Sequence, residues 1–493
     1  KAGLRVSAGV DLLEMDLNYE EVPRDELQDL FKSYRLKKKY YRLKDGSFIN
    51  LEDDSIKNVW DILNNLNVSS KELNNDKIQL SKSSAVYLDH AFSEFDLEVE
   101  KNNDFSALVD SILNPSTTHY TLPSGIEATL RPYQMTGYKW LRTLADNNLG
   151  GILADDMGLG KTLQSIVYMA SIIEKENNNA RFLIVCPSSL IYNWQDEVDN
   201  FAPHLTTEVI TGPPKERQEL IESDRKADII ITSYPLIRRD IELYEKIEFH
   251  TVFIDEAQYI KNADSLNAKS VKLLKAKHRF ALTGTPIENS LSELWSIFDF
   301  IMPNYLFAYT KFVNIYEKPI MKEEEGKLED LNRRIAPFIL RRMKKDVLQE
   351  LPDKVEEKML TDMVEEQKKI YLSYMEHIKS ELNAEIQENG FEKSKMKILA
   401  ALTRLRQICC HPSTFIDNYT GGSGKLELLK DLIADAIAND HRILVFSQFT
   451  SMLAIIEAEL KKENIDCFYL SGATKVHERS EYVKRFNEGE GKV

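Results

Sequence analysis

Apolar residues recur along this chain in more than one rhythm, and the changes of rhythm divide it. From about residue 121, short unbroken apolar runs return at intervals: GGILAD, RFLIVCP, ADIIITSY, HTVFIDEA and RFALTGTP. Runs of this length without alternation suit strands buried on both faces, and helix-period stretches of mixed charge separate them. The pattern predicts a doubly wound α/β layer with a parallel sheet. Residues 291–424 read as mostly helical, with SELWSIFDFI and KSKMKILAALTRLRQICC as amphipathic segments. After Gly424 the α/β texture returns, and HRILVFSQF and IDCFYLSG read as strands of a second, partial layer. The expected organisation is an accessory region over 1–120, a first lobe over 121–290, helical insertions and a linker over 291–424, and a partial second lobe over 425–493.

The accessory region mixes short strand patterns with polar turns and carries no chemical motif. Its stretch KSYRLKKKYYRLKDGSF sets Lys37, Lys38 and Lys39 beside Tyr34, Tyr40 and Tyr41, ahead of Asp45-Gly46. A phosphate-contacting patch is one reading. A solvated strand pair turning at KDGS is preferred.

Composition narrows the class. A length of 493 residues allows about three or four domain-sized units, and 43% hydrophobic with 29% charged residues supports a packed core. No run reaches the ~20 apolar residues of a membrane span. The opening KAGLRVSAGV has no signal-peptide pattern and no initiator Met, which leads to the expectation of a trimmed start. Cys186, Cys409, Cys410 and Cys467 are too few and scattered for a disulfide framework, which suits a reducing cytoplasm. Adjacent Cys409 and Cys410 before His411 lack metal-ligand spacing and are read as buried helix residues. A net charge of −15 argues against a uniformly basic nucleic-acid binder but leaves room for a basic cleft.

The sharpest chemistry lies in GILADDMGLGKTLQSI. A strand ending at Ala154 leads into a Gly-rich turn, and Lys161-Thr162 open a helix. Backbone N–H groups over Asp156, Met157, Gly158, Leu159 and Gly160 can wrap a phosphate at the positive end of that helix. Lys161 would neutralise β- and γ-phosphate charge, and the Thr162 hydroxyl would bind Mg²⁺. The usual phosphate-loop pattern has Gly where this chain has Asp155, so the spacing departs at one place. About a hundred residues on, TVFIDEAQ ends a buried strand in two carboxylates. Asp255 can hold Mg²⁺, directly or through water, while Glu256 faces the attacking water. By contrast GGSGKLELL lacks the spacing and the hydroxyl, and reads as a linker and helix start.

The ordered series LRPYQMTGYKWL, DDMGLGKT, LIVCPSSLIYNW, ITSYPLI, DEAQ, ALTGTPIENSLSELWSIFDF, RRMKKDVLQELPDK and ILVFSQFT resembles the Swi/Snf family of double-stranded DNA translocases, within helicase superfamily two. The resemblance covers roughly residues 120–493. It implies two RecA-like lobes with ATP and duplex DNA in the cleft between them, helical insertions that grip DNA, and translocation without strand separation; the function expected first is an ATP-driven duplex-DNA translocase that displaces or remodels a DNA-bound protein. It implies that Gln134 reads the adenine edge, with Arg131 or Tyr133 near the base. Thr283 and Thr285 would couple the ATP site to the DNA track. Ser188, Ser189, Trp194, Thr232 and Ser233 would lie on strand-end loops that touch phosphates, with Gln448, Thr450, Ser471 and Gly472 as their counterparts in the second lobe. Gln258 stands where many superfamily members carry His, and its amide can still hydrogen-bond the opposite lobe. Arg341, Arg342, Lys344 and Lys345 form a basic run on an apparent helix, read either as a brace linking the lobes or as a solvated face. The first 120 residues weakly resemble the accessory region of bacterial members.

Two other functions remain open at this stage: a strand-separating DNA or RNA helicase, and a non-hydrolysing scaffold. The chain stops at Val493 in YVKRFNEGEGKV, a charged helix running into a Gly-rich turn. Two strand patterns alone would leave a second lobe with open edges, so Val493 is expected to be internal to a longer protein. The resemblance places arginines that reach the γ-phosphate beyond it, so a protein ending there is expected to bind ATP and hydrolyse it slowly.

Overall fold

The computed structural model describes residues 2–8, 12–19, 22–69, 72–75, 77–94, 98–177, 179–223, 227–284, 290–348 and 355–493. Contacts divide the chain into two units, Lys1–Leu351 and Pro352–Val493. No described helix is long and apolar enough to cross a membrane.

In the first unit, β1 (Ala2–Ala8) pairs antiparallel with β2 (Leu12–Tyr19). A short ribbon follows, β3 (Tyr40–Arg42) against β4 (Phe48–Asn50), with Tyr41 opposite Ile49. The Asp45 carboxylate accepts from the Ser47 N–H and hydroxyl, and Gly46 adopts a φ of 97°. This is the strand pair expected at KDGS. β5 (Ile78–Ser81) and β6 (Glu98–Lys101) complete a four-stranded sheet in the order β5-β2-β1-β6. Arg334 ties this region to the rest of the unit. It is 3% exposed, donates to Asn65 O, and lies over the rings of Tyr87, Tyr305 and Phe307.

The apolar runs become β7 (Gly151–Leu153), β8 (Phe182–Cys186), β10 (Ile229–Ser233), β11 (Glu248–Ile254) and β12 (Lys275–Leu282). Two strands outside those runs, β9 (Thr207–Val209) and β13 (Ile339–Leu340), close the edges. The order is β13-β7-β12-β11-β8-β10-β9, and every pairing is parallel. Every residue of β8 and β10 is buried, which explains their unbroken apolar pattern. Helix Lys161–Lys175 covers the sheet, and its Tyr168 stands edge-on to Phe182, Phe253 and Phe280. Because all strands run the same way, their C-terminal ends share one edge, where an open α/β sheet holds its ligands. The expected α/β lobe is therefore present.

The basic run is not one helix. Only Lys344–Val347 form a single helical turn, while Arg341 and Arg342 continue from β13 in extended backbone.

In the second unit, helices Glu365–Asn389 and Phe391–Cys410 form a hairpin that turns at Gly390, with φ 79°. Cys409 and Cys410 are half-buried at its end, short of the full burial expected. Ser423 caps helix Gly424–Ala438 by accepting from Leu426 N–H, as expected for a linker and helix start. A small core gathers Leu426, Ile433, Met452, Ile456 and Leu460. RILVF and DCFYL do not form the expected strands. Ile443 N–H donates to Lys492 O and Phe468 N–H to Val493 O, and no ladder joins them among the described residues. Leu444 and Phe446 are 68% and 88% exposed, so the apolar pattern is present without the pairing that defines a strand.

Candidate nucleotide and Mg²⁺ site

β7 feeds directly into the phosphate loop. Gly158 and Gly160 take φ of 84° and 75°, the left-handed region open to glycine, and this turns successive N–H groups inward ahead of helix Lys161–Lys175. Leu159 is buried and anchors the loop, whereas Met157 is 70% exposed on its rim. Lys161 Nζ donates to Asp155 O at 2.7 Å and to Asp156 O at 3.4 Å, so the ammonium group is held over the loop. Burial lowers its pKa, and the carboxylates of Asp155, Asp255, Glu256 and Asp156 oppose that shift. Gln134 is buried against the loop. Its Oε1 accepts from Arg131 N–H at 2.9 Å, and its Nε2 donates to Leu159 O at 3.3 Å. Arg131 itself is exposed.

Asp155, at the departure from the usual pattern, has a fully buried carboxylate. Arg342 grips it with two donors, Nε at 2.8 Å from Oδ1 and Nη2 on Oδ2. The same guanidinium donates to Tyr133 O and to Gln164 Oε1. Backbone bonds run alongside: Ala154 N–H to Leu340 O, Asp156 N–H to Arg342 O, and Lys344 N–H to the Asp156 carboxylate. The segment read as brace or solvated face is thus stitched along the phosphate loop. An ion pair fixes the loop at the position where the general phosphate-loop pattern has glycine.

Asp255 follows β11. Its Oδ1 accepts from Glu256 N–H and its Oδ2 from Trp194 Nε1, both at 2.9 Å, and burial raises its pKa. Glu256 sits in left-handed backbone at φ 50°, uncommon for a residue with a Cβ. Its Oε2 accepts from Gln258 Nε2 at 2.8 Å, and Gln258 Oε1 accepts from Thr283 Oγ1 at 3.1 Å. Gln258 therefore spends its amide inside this lobe, on Glu256 and Thr283. Thr285 lies outside the described residues.

Glu197 escaped the sequence reading. Its carboxylate accepts from Asn193 Nδ2 at 3.1 Å and lies near the Thr162 hydroxyl, and burial raises its pKa. An oxygen-only donor set of Asp255, Thr162 and Glu197 suits Mg²⁺, which is held by few carboxylates together with substrate phosphates. No group of three or more His, Cys, Asp or Glu side chains that could hold a metal occurs among the described residues, so Cys409, Cys410 and His411 form no such site.

The loop residues divide. Ser188 and Ser189 are exposed just past β8. Trp194, Thr232 and Ser233, expected at strand ends that meet phosphates, are each no more than 1% exposed, so their side chains turn inward there. Trp194 turns inward to Asp255, and Thr232 Oγ1 donates to Ile210 O. The apolar face of helix Ile191–Phe201, with Ile191, Trp194 and Val198 at helical spacing, was the signal that could have placed the indole inside. In the second unit Gln448, Thr450 and Gly472 are exposed and Ser471 is half-buried. Gln448 Oε1 accepts from Arg406 at 2.5 Å.

Comparison with known proteins accords with this arrangement. Residues 133–414 match the SNF2-related domain, residues 1–123 the bacterial SNF2 helicase associated region, and residues 424–493 the helicase conserved C-terminal domain. The TATA-binding protein-associated factor MOT1 of Saccharomyces cerevisiae is 34% identical over 457 residues, spanning 79% of this chain and 24% of that protein. An uncharacterized ATP-dependent helicase of Mycoplasma genitalium, MG018, is 35% identical over 405 residues, spanning 81% of this chain and 38% of the relative. The solved Sulfolobus solfataricus SWI2/SNF2 ATPase core in complex with dsDNA is 37% identical, covering 74% of this chain and 78% of that one, with a TM-score of 0.46. This chain thus spans well under half the length of both curated relatives. The SNF2-related match takes in more than half of the residues here, and the chain belongs to the SNF2 family.

Proposed function

We propose that this chain is the motor part of an ATP-dependent translocase that moves on duplex DNA and displaces or remodels a protein bound there. The observation that carries the proposal is the convergence of Lys161, Asp255 and Glu256 at one sheet edge, with Glu256 linked through Gln258 to Thr283. Lys161 neutralises the β- and γ-phosphates, Thr162 and Asp255 hold the Mg²⁺ side, and Glu256 orients the attacking water. Mg²⁺, when bound, supplies charge neutralisation between the phosphates. Gln134 and Arg131 lie at the loop on the side proposed for the base. Ser188 and Ser189, with Gln448, Thr450, Ser471 and Gly472, are the proposed backbone contacts, and such contacts are blind to sequence. The long helical segments after β12 favour a duplex track over strand separation. The name of the yeast relative, a factor associated with the TATA-binding protein, supports a DNA-bound protein as the object displaced. The proposed organisation keeps the accessory region at 1–120, the first lobe at 121–290, the insertions at 291–424 and the second lobe from 425.

The test is ATP turnover by the intact protein with duplex DNA, single strands and RNA, joined to DNA affinity across salt. Duplex DNA should stimulate most, and affinity should fall by about one to three orders of magnitude between 50 and 200 mM salt. Preferential stimulation by single strands or RNA would favour a strand-separating helicase. The net charge of −15 gives the salt test force, because bulk electrostatics repel DNA.

A further inference from the structure

Asp255 is held from two sides by side chains that belong to the two strand-end loops. β8 runs into Pro187 and the exposed Ser188 and Ser189. The first turn of the following helix, Ile191–Phe201, then carries Trp194 inward to Asp255 Oδ2 at 2.9 Å. β10 runs into Tyr234, which is fully buried and donates its hydroxyl to the Asp255 carbonyl at 2.6 Å. The Tyr234 ring stacks on Tyr259, with centroids 5.1 Å apart and planes within 6°. One turn beyond Trp194 on the same helix, Glu197 lies near Thr162. The helix that begins at the serine loop therefore holds the Asp255 carboxylate, and the neighbouring strand end holds the Asp255 backbone. An indole N–H can only donate, so with Glu256 N–H on Oδ1 and Trp194 on Oδ2 the carboxylate plane is fixed at both oxygens. At this packing density a shift of either loop must move Asp255 or break one of these bonds.

We propose that Trp194 and Tyr234 are positioning residues that transmit nucleic-acid contact at the strand-end loops to Asp255, and so couple DNA binding to nucleotide binding. This rests on the duplex-motor reading above. By linkage, such coupling appears equally in both affinities: DNA tightens nucleotide by the factor by which nucleotide tightens DNA.

The experiment uses the intact protein, a fluorescent ATP analogue with Mg²⁺, and a random-sequence duplex. Nucleotide affinity is measured at equilibrium with and without DNA, and DNA affinity with and without nucleotide. Wild type should show a coupling factor of about 5–150-fold. Trp194→Phe keeps the ring and removes the N–H, and Tyr234→Phe removes one oxygen. Each should cut the coupling factor at least about threefold, by the same ratio from either direction. A purely structural role would lower melting temperature and leave the ratio unchanged, and an unchanged ratio in both variants overturns the inference. If Trp194→Phe does not fold, Tyr234→Phe decides. A wild-type protein that does not bind duplex DNA, or shows no coupling, overturns the motor reading together with this one.

Discussion

Removing Arg342 should damage the first unit more than removing Asp155 and Arg342 together. The Asp155 side chain is 0% exposed and that of Arg342 is 13% exposed, so the pair is buried and bidentate. Arg342→Ala would strand the carboxylate with Gln164 Nε2, at 3.2 Å, as its remaining side-chain donor. It would also free Tyr133 O and Gln164 Oε1. Breaking a buried pair from one side costs about 3–5 kcal/mol, most of it the uncompensated charge. With about 2.1 cal/mol/K per residue over a unit of about 350 residues, that is a fall in Tm of roughly 4–7 °C. Asp155→Gly with Arg342→Met introduces the glycine of the general phosphate-loop pattern and replaces the guanidinium with an apolar chain. Removing both partners eliminates the uncompensated buried charge, which is most of the cost of breaking the pair from one side. The double variant should therefore recover at least half of the loss. Thermal unfolding followed by tryptophan fluorescence checks this, since Trp140 and Trp194 are buried in this unit. An Arg342→Ala protein within about 1 kcal/mol of wild type, or a double variant no better than the single one, would refute the argument.

Lys161→Ala should lose both nucleotide binding and turnover, while Glu256→Gln should keep binding and lose turnover by about 10²–10⁴-fold, the usual worth of a positioned base. Equilibrium binding beside steady-state turnover separates the two, and weakened nucleotide affinity in Glu256→Gln would contradict the role given to it. Acid should also destabilise the first unit. His250 and His278 lie with ring centroids 5.0 Å apart, and burial first, then nearby positive charge, pushes each down to about 4. Both are neutral in the fold and charge more readily once unfolded. Their contribution is complete above about pH 6.5 and is lost as pH falls toward 4, by at most about 1.4 kcal/mol per pH unit for each. Urea unfolding of wild type and His278→Gln between pH 7.5 and 5 should show a shallower dependence in the variant, and equal slopes would exclude the pair as its cause.

What could be read from the sequence was local, and what could not was paired across distance. Five strands of the parallel sheet were legible because residues buried on both faces leave an unbroken apolar run. β9 and β13, short edge strands that are half-buried throughout, leave no such trace. The segments around Leu444 and Phe468 carry the same apolar signature without forming a ladder, because periodicity reports a tendency toward burial while a strand also needs a neighbour's backbone. At the site, the Gly158, Gly160, Lys161 and Thr162 spacing is set by one turn of chain and was visible. The partner of Asp155 stands 187 residues away, and nothing in a single sequence couples an aspartate in a glycine's place to one arginine among many. Trp194 shows the same limit within a single loop: its position was predicted and its direction was not. Motif order named the loop, but the face of helix Ile191–Phe201 decides that the indole meets Asp255 while Ser188 and Ser189 meet solvent. The motif letters therefore mark where chemistry and track must meet, and the buried side chains just behind those letters are where the two can communicate.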